Sequence, residues 1–270
     1  MKKQKRIVLG LLDFGVGGLT VMKQLLVKEI PADEIIFFSD KIPFGQDLNY
    51  IKNRILTIIK FLLTKGATII IFACNTATAA AFQEATAEFP NIKFFSIVDA
   101  GSLKASQDTQ NNKIGVIATS LTVESKIYER KLKKLNKGMN VYQYPLPELA
   151  EMIERFCDKK TLLTYLKNNL VFFNDKNIDT LILGCTHYPI VDKYIKKIMK
   201  KINIVDPAEE LAKEVNDYLK TPNLSKLTIH KTTLSIYAYD RELLYKMSKK
   251  VLGPFAKNID FHDLGKELIV

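Results

Sequence analysis

Thr68-Ile69-Ile70-Ile71-Phe72-Ala73-Cys74-Asn75-Thr76 and, far along the chain, Thr180-Leu181-Ile182-Leu183-Gly184-Cys185-Thr186-His187 share one plan. Each begins on a threonine, runs through a block of apolar, mostly β-branched residues, and passes a small residue. Each then ends on a cysteine followed by polar residues. A short continuous apolar run of this kind predicts a strand covered on both faces, as in a parallel sheet. The small residue and the cysteine then mark the carboxyl end of the strand, just beyond which ligands bind in open parallel sheets. Two copies imply two similar sheets about an approximate two-fold axis, each presenting one cysteine to a shared cleft.

A fainter similarity supports the repeat. Gly10-Leu11-Leu12-Asp13 leading to Leu19-Thr20-Val21 resembles Gly115-Val116-Ile117-Ala118 leading to Leu121-Thr122-Val123. Residues 7–12, 35–38, 93–98, 114–118, 141–144 and 202–205 also read as strands. Helix-period segments at 19–28, 49–65, 77–88, 125–135, 165–174 and 208–219 lie between them. Such alternation predicts an α/β protein of mostly parallel sheets with helices on both sides. The expected organisation is two similar α/β domains with the site in the cleft between them. The first takes residues 1–97 and returns for 209–270; the second takes 98–208.

Composition narrows the function classes. Of 270 residues, 47% are hydrophobic, enough for a substantial core. No apolar run approaches the roughly 20 residues of a membrane-spanning helix. The basic start leads into an acidic, glycine-rich turn rather than a signal-peptide core. Three cysteines make no disulfide framework, and a reducing cytoplasm with free thiols is expected. The 40 basic and 29 acidic side chains give a net charge of +11, which attracts acidic metabolites or nucleic acid. With no zinc-finger spacing and no aromatic RNA-binding strand, the lysine clusters read as a solubilising surface, and no nucleic-acid partner is expected.

The two strand-end cysteines carry the chemistry. A thiol titrates near 8.5 in water, and nearby positive charge or a helix N-terminus lowers that value. Cys74 and Cys185 therefore read as a paired base and acid, one as thiolate and one as thiol. Cys157 lacks that setting and reads as structural. No CxxC or HxxxH pair completes a zinc site. Cys185 beside His187 leaves a nucleophilic hydrolase open. In Asp13-Phe14-Gly15-Val16-Gly17-Gly18 the third glycine comes too early for a dinucleotide-binding loop. These glycines read instead as a tight turn approaching a small anion at the next helix N-terminus. Asp13 at the strand's end is placed to hold an ammonium group or tune a thiol.

Together these segments resemble glutamate racemases of the aspartate/glutamate racemase superfamily, from Ile7 nearly to the C-terminus. Asp13 to Val21 is similar to the opening DSGVGGLTV, and Pro43-Phe44-Gly45 to the family's PYG. Cys74-Asn75-Thr76-Ala77 and Cys185-Thr186-His187-Tyr188-Pro189 resemble the two cysteine motifs. Thr119 and Thr122 fall on the GTxxT segment. The stretch from Pro147 ends on a functional glutamate, which points to Glu154, and Val205-Asp206-Pro207-Ala208 resembles the return into the first domain. The resemblance implies racemisation of glutamate without any cofactor, for peptidoglycan synthesis, by a homodimer. It implies Asp13 as partner of Cys74, and Glu154 and His187 as partners of Cys185. Asn75, Thr76, Thr119, Thr122 and Thr186 would bind substrate. Phe14 replaces a serine that faces the substrate, Phe44 replaces a tyrosine, and the stretch before Pro43 is shortened. These departures leave open aspartate as substrate, or a binding protein without turnover.

Overall fold

The computed structural model describes residues 6–42, 46–221 and 232–265. From the start the chain runs β1 (Val8–Phe14), α1 (Gly18–Val27), β2 (Glu34–Asp40), α2 (Leu48–Thr64), β3 (Ile69–Phe72), α3 (Asn75–Glu88) and β4 (Lys93–Ser96). Helix α4 (Ile97–Asp108) leads into β5 (Lys113–Ala118), α5 (Ser120–Glu124), α6 (Ile127–Leu135), β6 (Asn140–Pro145), α7 (Pro147–Glu154) and α8 (Lys159–Leu170). Then come β7 (Thr180–Gly184), α9 (Asp192–Ile198) and β8 (Asn203–Val205). The chain returns through α10 (Pro207–Leu219), β9 (Thr233–Ala238), α11 (Arg241–Leu252) and β10 (Ile259–Asp263).

Two sheets result, of order β10-β9-β2-β1-β3-β4 and β6-β5-β7-β8. Every strand pairing in both is parallel. The expected pair of α/β domains with parallel sheets flanked by helices is therefore what the chain forms. β1 shows why its sequence is nearly all apolar. Leu9 and Leu11 enter one core cluster while Val8 and Leu12 enter another on the opposite face. Each fully buried aliphatic side chain contributes about 1.5–3 kcal/mol. The cluster under Leu9 continues into Ile114, Val116, Leu181 and Leu183 of the second sheet, so one apolar core joins the two halves. Helix α4 packs on α10, α6 and β7 across that junction.

Several local expectations are corrected. The strand expected to run to residue 98 stops at Ser96, whose hydroxyl accepts from Asp99 N at 3.2 Å and caps α4. The helix expected at 125–135 is broken at Lys126, which has φ 54°, between α5 and α6. Helix α8 begins at Lys159, earlier than its apolar period suggests, because Asp158 accepts from Lys160 N at 2.9 Å and Thr161 N at 3.0 Å. Strands β9 and β10 lie outside the runs that read as strands. β10 lies at the edge and reads Ile-Asp-Phe-His-Asp, with no continuous apolar run. Among the described residues, no helix is long and apolar enough to cross a membrane.

Candidate active site

β1 and β3 are neighbours, and their carboxyl ends bring Asp13 beside Cys74. The amide of Cys74 donates to Leu12 O at 3.3 Å. Cys74 caps α3, its Sγ accepting from Ala77 N at 3.5 Å. The Ala77 amide at the helix terminus pulls this thiol down, but other causes outweigh it. Burial pushes it well above its ordinary value and the charge of Asp13 adds to that, against the Ala77 and Phe14 amides. Cys74 therefore rests as a protonated thiol, the acid form.

Asp13 is almost fully buried. Its Oδ1 accepts from Phe14 N at 2.6 Å and its Oδ2 from the Thr186 hydroxyl at 2.8 Å. Burial raises its carboxyl to about 6, although the charge of His187 and the bonds from Thr186, Cys74 and Phe14 pull the other way. It is still an anion at neutral pH.

Cys185 follows β7 and has the opposite electrostatic company. Its Sγ lies 3.7 Å from His187 Nδ1, and His187 Nε2 lies 2.8 Å from Glu154 Oε1. Burial resists protonation of His187, but the bonds and charges of Cys185 and Glu154 outweigh it and hold the imidazole at about 10. Burial also pulls Glu154 upward, yet the bond and charge of His187, the Val16 amide and Lys41 leave it below the ordinary carboxylate range. A buried imidazolium facing a thiol is the partner a thiolate needs. The two sulfurs thus sit in unlike surroundings, one beside an anion and one beside a cation. Both are nearly enclosed, Cys74 at 6% and Cys185 at 7% exposure.

Polar groups from both halves meet near Cys74. Thr76 Oγ1 lies 2.9 Å from Thr119 Oγ1 and 3.4 Å from Thr122 Oγ1, and the last two are 3.0 Å apart. Asn75 Oδ1 accepts from the Tyr128 hydroxyl at 2.7 Å. Asn75 Nδ2 is buried and has no hydrogen-bond partner among the described residues. Three hydroxyls and a free amide donor are what carboxylate oxygens require.

The glycine turn is as tight as its sequence suggests, and it is pressed from the second half of the molecule. Gly15 has φ +93°, and a Cβ there would stand 2.8 Å from Glu154 Oε1. A Cβ on Gly17 would stand 2.1 Å from Thr186 Oγ1 and 2.7 Å from His187 Nδ1. The turn is glycine-rich because Glu154, Thr186 and His187 press against its backbone. Phe14 is half-buried, and its ring packs on the cluster that contains Cys74. Pro43, Phe44 and Gly45 lie outside the described residues.

Two contributors escaped the sequence reading. Thr20 donates its hydroxyl to Thr186 O at 3.0 Å; it stood inside the quoted opening motif, but its spacing suggested only a helix start. Tyr128 is fully buried on α6, where a tyrosine reads as core until its hydroxyl finds Asn75.

Comparison with known proteins agrees with this fold. Residues 37–215 match the family described as Asp/Glu/Hydantoin racemase. The chain belongs to that family and is an amino-acid racemase, an isomerase. Over nearly its whole length it is similar to glutamate racemases. It is 35% identical over 263 residues to that of Thermoanaerobacter sp. (strain X514), covering 96% of this chain and 98% of the relative. The structure of a glutamate racemase isoform from Bacillus anthracis superposes with a TM-score of 0.88 at 29% identity, covering 96% of this chain and 98% of that one. That from Francisella tularensis, solved in complex with D-glutamate, gives 0.85 at 29% identity over 97% and 99% of the two chains.

Proposed function

We propose that this racemase interconverts L- and D-glutamate without a cofactor, using Cys74 and Cys185 as its acid/base pair. One thiolate removes the α-proton, and the other thiol delivers a proton to the opposite face. The roles of the two sulfurs exchange for the opposite enantiomer. Asp13 assists Cys74, while His187 and Glu154 assist Cys185. Asn75, Thr76, Thr119, Thr122 and Thr186 bind the two carboxylates and the amine. The observation that carries this reading is Asp13, buried beside Cys74 and bonded to Thr186, the neighbour of Cys185. It draws the ends of the two cysteine strands to one place. Positioned acid–base groups give about 10²–10⁴-fold each, and donors aimed at the developing carbanion supply much of the remainder.

D-Glutamate made this way is a peptidoglycan precursor, which places the enzyme in the cytoplasm; we expect it to act as a homodimer. A shorter substrate, aspartate, is the second reading. It rests on Phe14, which stands where the family has a serine and packs against the apolar cluster that contains Cys74. Proton NMR of L- and D-glutamate, then aspartate, with the protein in D₂O separates the two. Loss of the glutamate α-proton signal is the expected result, with racemisation sharply reduced by Cys74→Ser and by Cys185→Ser. Exchange with aspartate alone moves the assignment to aspartate. Near-wild-type racemisation in either serine variant removes the two-thiol mechanism.

A further inference from the structure

Away from the thiols, one buried ion pair is built into the rim of the same sheet. Arg54 of α2 reaches the carboxyl end of β2, where Nε donates to Asp40 Oδ2 at 2.9 Å and Nη2 to Asp40 Oδ1 at 3.0 Å. The Asp40 side chain is 1% exposed and that of Arg54 13%. Nη2 also donates to the Tyr239 hydroxyl, at the end of β9. Desolvation makes a buried pair of this kind a poor source of net stability. A planar fork locked onto a carboxylate fixes direction and distance instead, which a lysine cannot do.

What the pair fixes is the turn that touches the site. Asp40 is in register with Phe14, and its carbonyl accepts from Gly15 N at 2.8 Å. The neighbouring Ser39 hydroxyl donates to Gly15 O at 2.7 Å. Gly15 in turn lies directly against Glu154, and Val16 N is 3.4 Å from Glu154 Oε1. Glu154 holds His187, which faces Cys185. A shift at Asp40 therefore reaches Glu154, and through it the imidazole, by way of the Gly15–Val16 backbone.

We propose that Arg54, through its forked pair with Asp40 and its bond to Tyr239, is a positioning residue that holds residues 13–16 against Glu154 and so sets the Glu154–His187–Cys185 alignment. The proposal rests on the racemase reading for its effect on rate, but its effect on His187 is observable without turnover.

The test uses the whole chain. Removing Arg54 alone would strand a buried carboxylate, so the main variant combines Arg54→Met with Asp40→Asn. Arg54→Lys keeps the charge and loses the fork. Racemisation is followed in both directions, and the His187 imidazole is titrated by NMR. In the double variant kcat should fall roughly ten- to a hundredfold, the cost of a small misplacement in the site, with KM little changed. The His187 midpoint should fall toward its ordinary value, and Arg54→Lys should lie between wild type and the double variant. A folded double variant with wild-type kcat and a wild-type His187 midpoint overturns the proposal. If the double variant does not fold, Arg54→Lys decides, and wild-type values there overturn it equally. If the wild-type protein neither racemises nor exchanges, the racemase reading fails. The His187 midpoint then still decides whether Arg54 positions the site.

Discussion

The hydroxyl of Thr186 donates to Asp13 Oδ2 at 2.8 Å, so the residue that follows one thiol fastens the carboxylate beside the other. Nothing in local sequence links them: Asp13 ends β1 in the first sheet, and Thr186 follows β7 in the second. The bond makes the two half-sites mechanically dependent. It also keeps a buried carboxylate ionised that burial alone would protonate further.

Thr186→Val should therefore impair the half-reaction assigned to Cys74, although Thr186 adjoins Cys185. Without the donated bond the Asp13 carboxyl rises further above its ordinary range, because a bond to the charged form is lost. The acid limb of the kcat/KM profile should move to higher pH, read from initial rates with each enantiomer. An unmoved limb would mean that Asp13 does not titrate in the rate-determining step.

The Glu154–His187–Cys185 arrangement predicts a pH dependence of stability. His187 is raised from 6.5 to about 10, so the folded state holds its proton more tightly than the unfolded chain. Its contribution is complete below about 6.5 and is lost as pH rises through about 10. Urea unfolding across that window should show the wild type losing stability relative to His187→Gln. Parallel curves would rule out an imidazolium at this position.

Phe14→Ser separates packing from recognition. The ring belongs to the apolar cluster around Cys74, so its loss should cost about 1–3 kcal/mol and lower the unfolding midpoint. The restored hydroxyl and the added space should lower KM for glutamate, measured by coupled assay. A lower midpoint with unchanged KM would place the ring away from the substrate.

Tyr128→Phe removes the donor to Asn75 Oδ1 and leaves a buried acceptor unpaired, a cost of about 1–3 kcal/mol. Released from that bond, Asn75 loses its fixed orientation, and KM should rise more than kcat falls. Steady-state kinetics beside a thermal melt checks both parts. A melt that drops without any change in KM would make Tyr128 a core residue only.

The eight strands read from apolar runs are all present; in β1, β3, β5 and β7 burial on both faces demands a continuous apolar run, which survives as a local signal. The same reading missed β9 and β10. Their hydrogen bonds belong to the parallel sheet, but β9 is largely buried around a central Ser235 and β10 alternates apolar with polar residues, leaving no unbroken apolar run. Cap chemistry decided two boundaries: Ser96 starts a helix where the apolar run reads as strand to residue 98, and Asp158 starts α8 earlier than apolar spacing suggests, because a side-chain oxygen satisfies amides that periodicity does not see.

By itself the sequence determined that this chain is a parallel α/β protein with two matched strand-end cysteines, since burial and backbone pairing impose those patterns residue by residue. It also carried enough of the site, from Asp13 to His187, to point to racemase chemistry. Only the tertiary structure decided how the two thiols differ. Cys74 has a buried anion for a neighbour and Cys185 a buried cation, although both occupy the same place in their sheets. Charges acting over a few ångströms come from Asp13 on another strand and from Glu154 on another helix. Folding brings them to the sulfurs; sequence order does not.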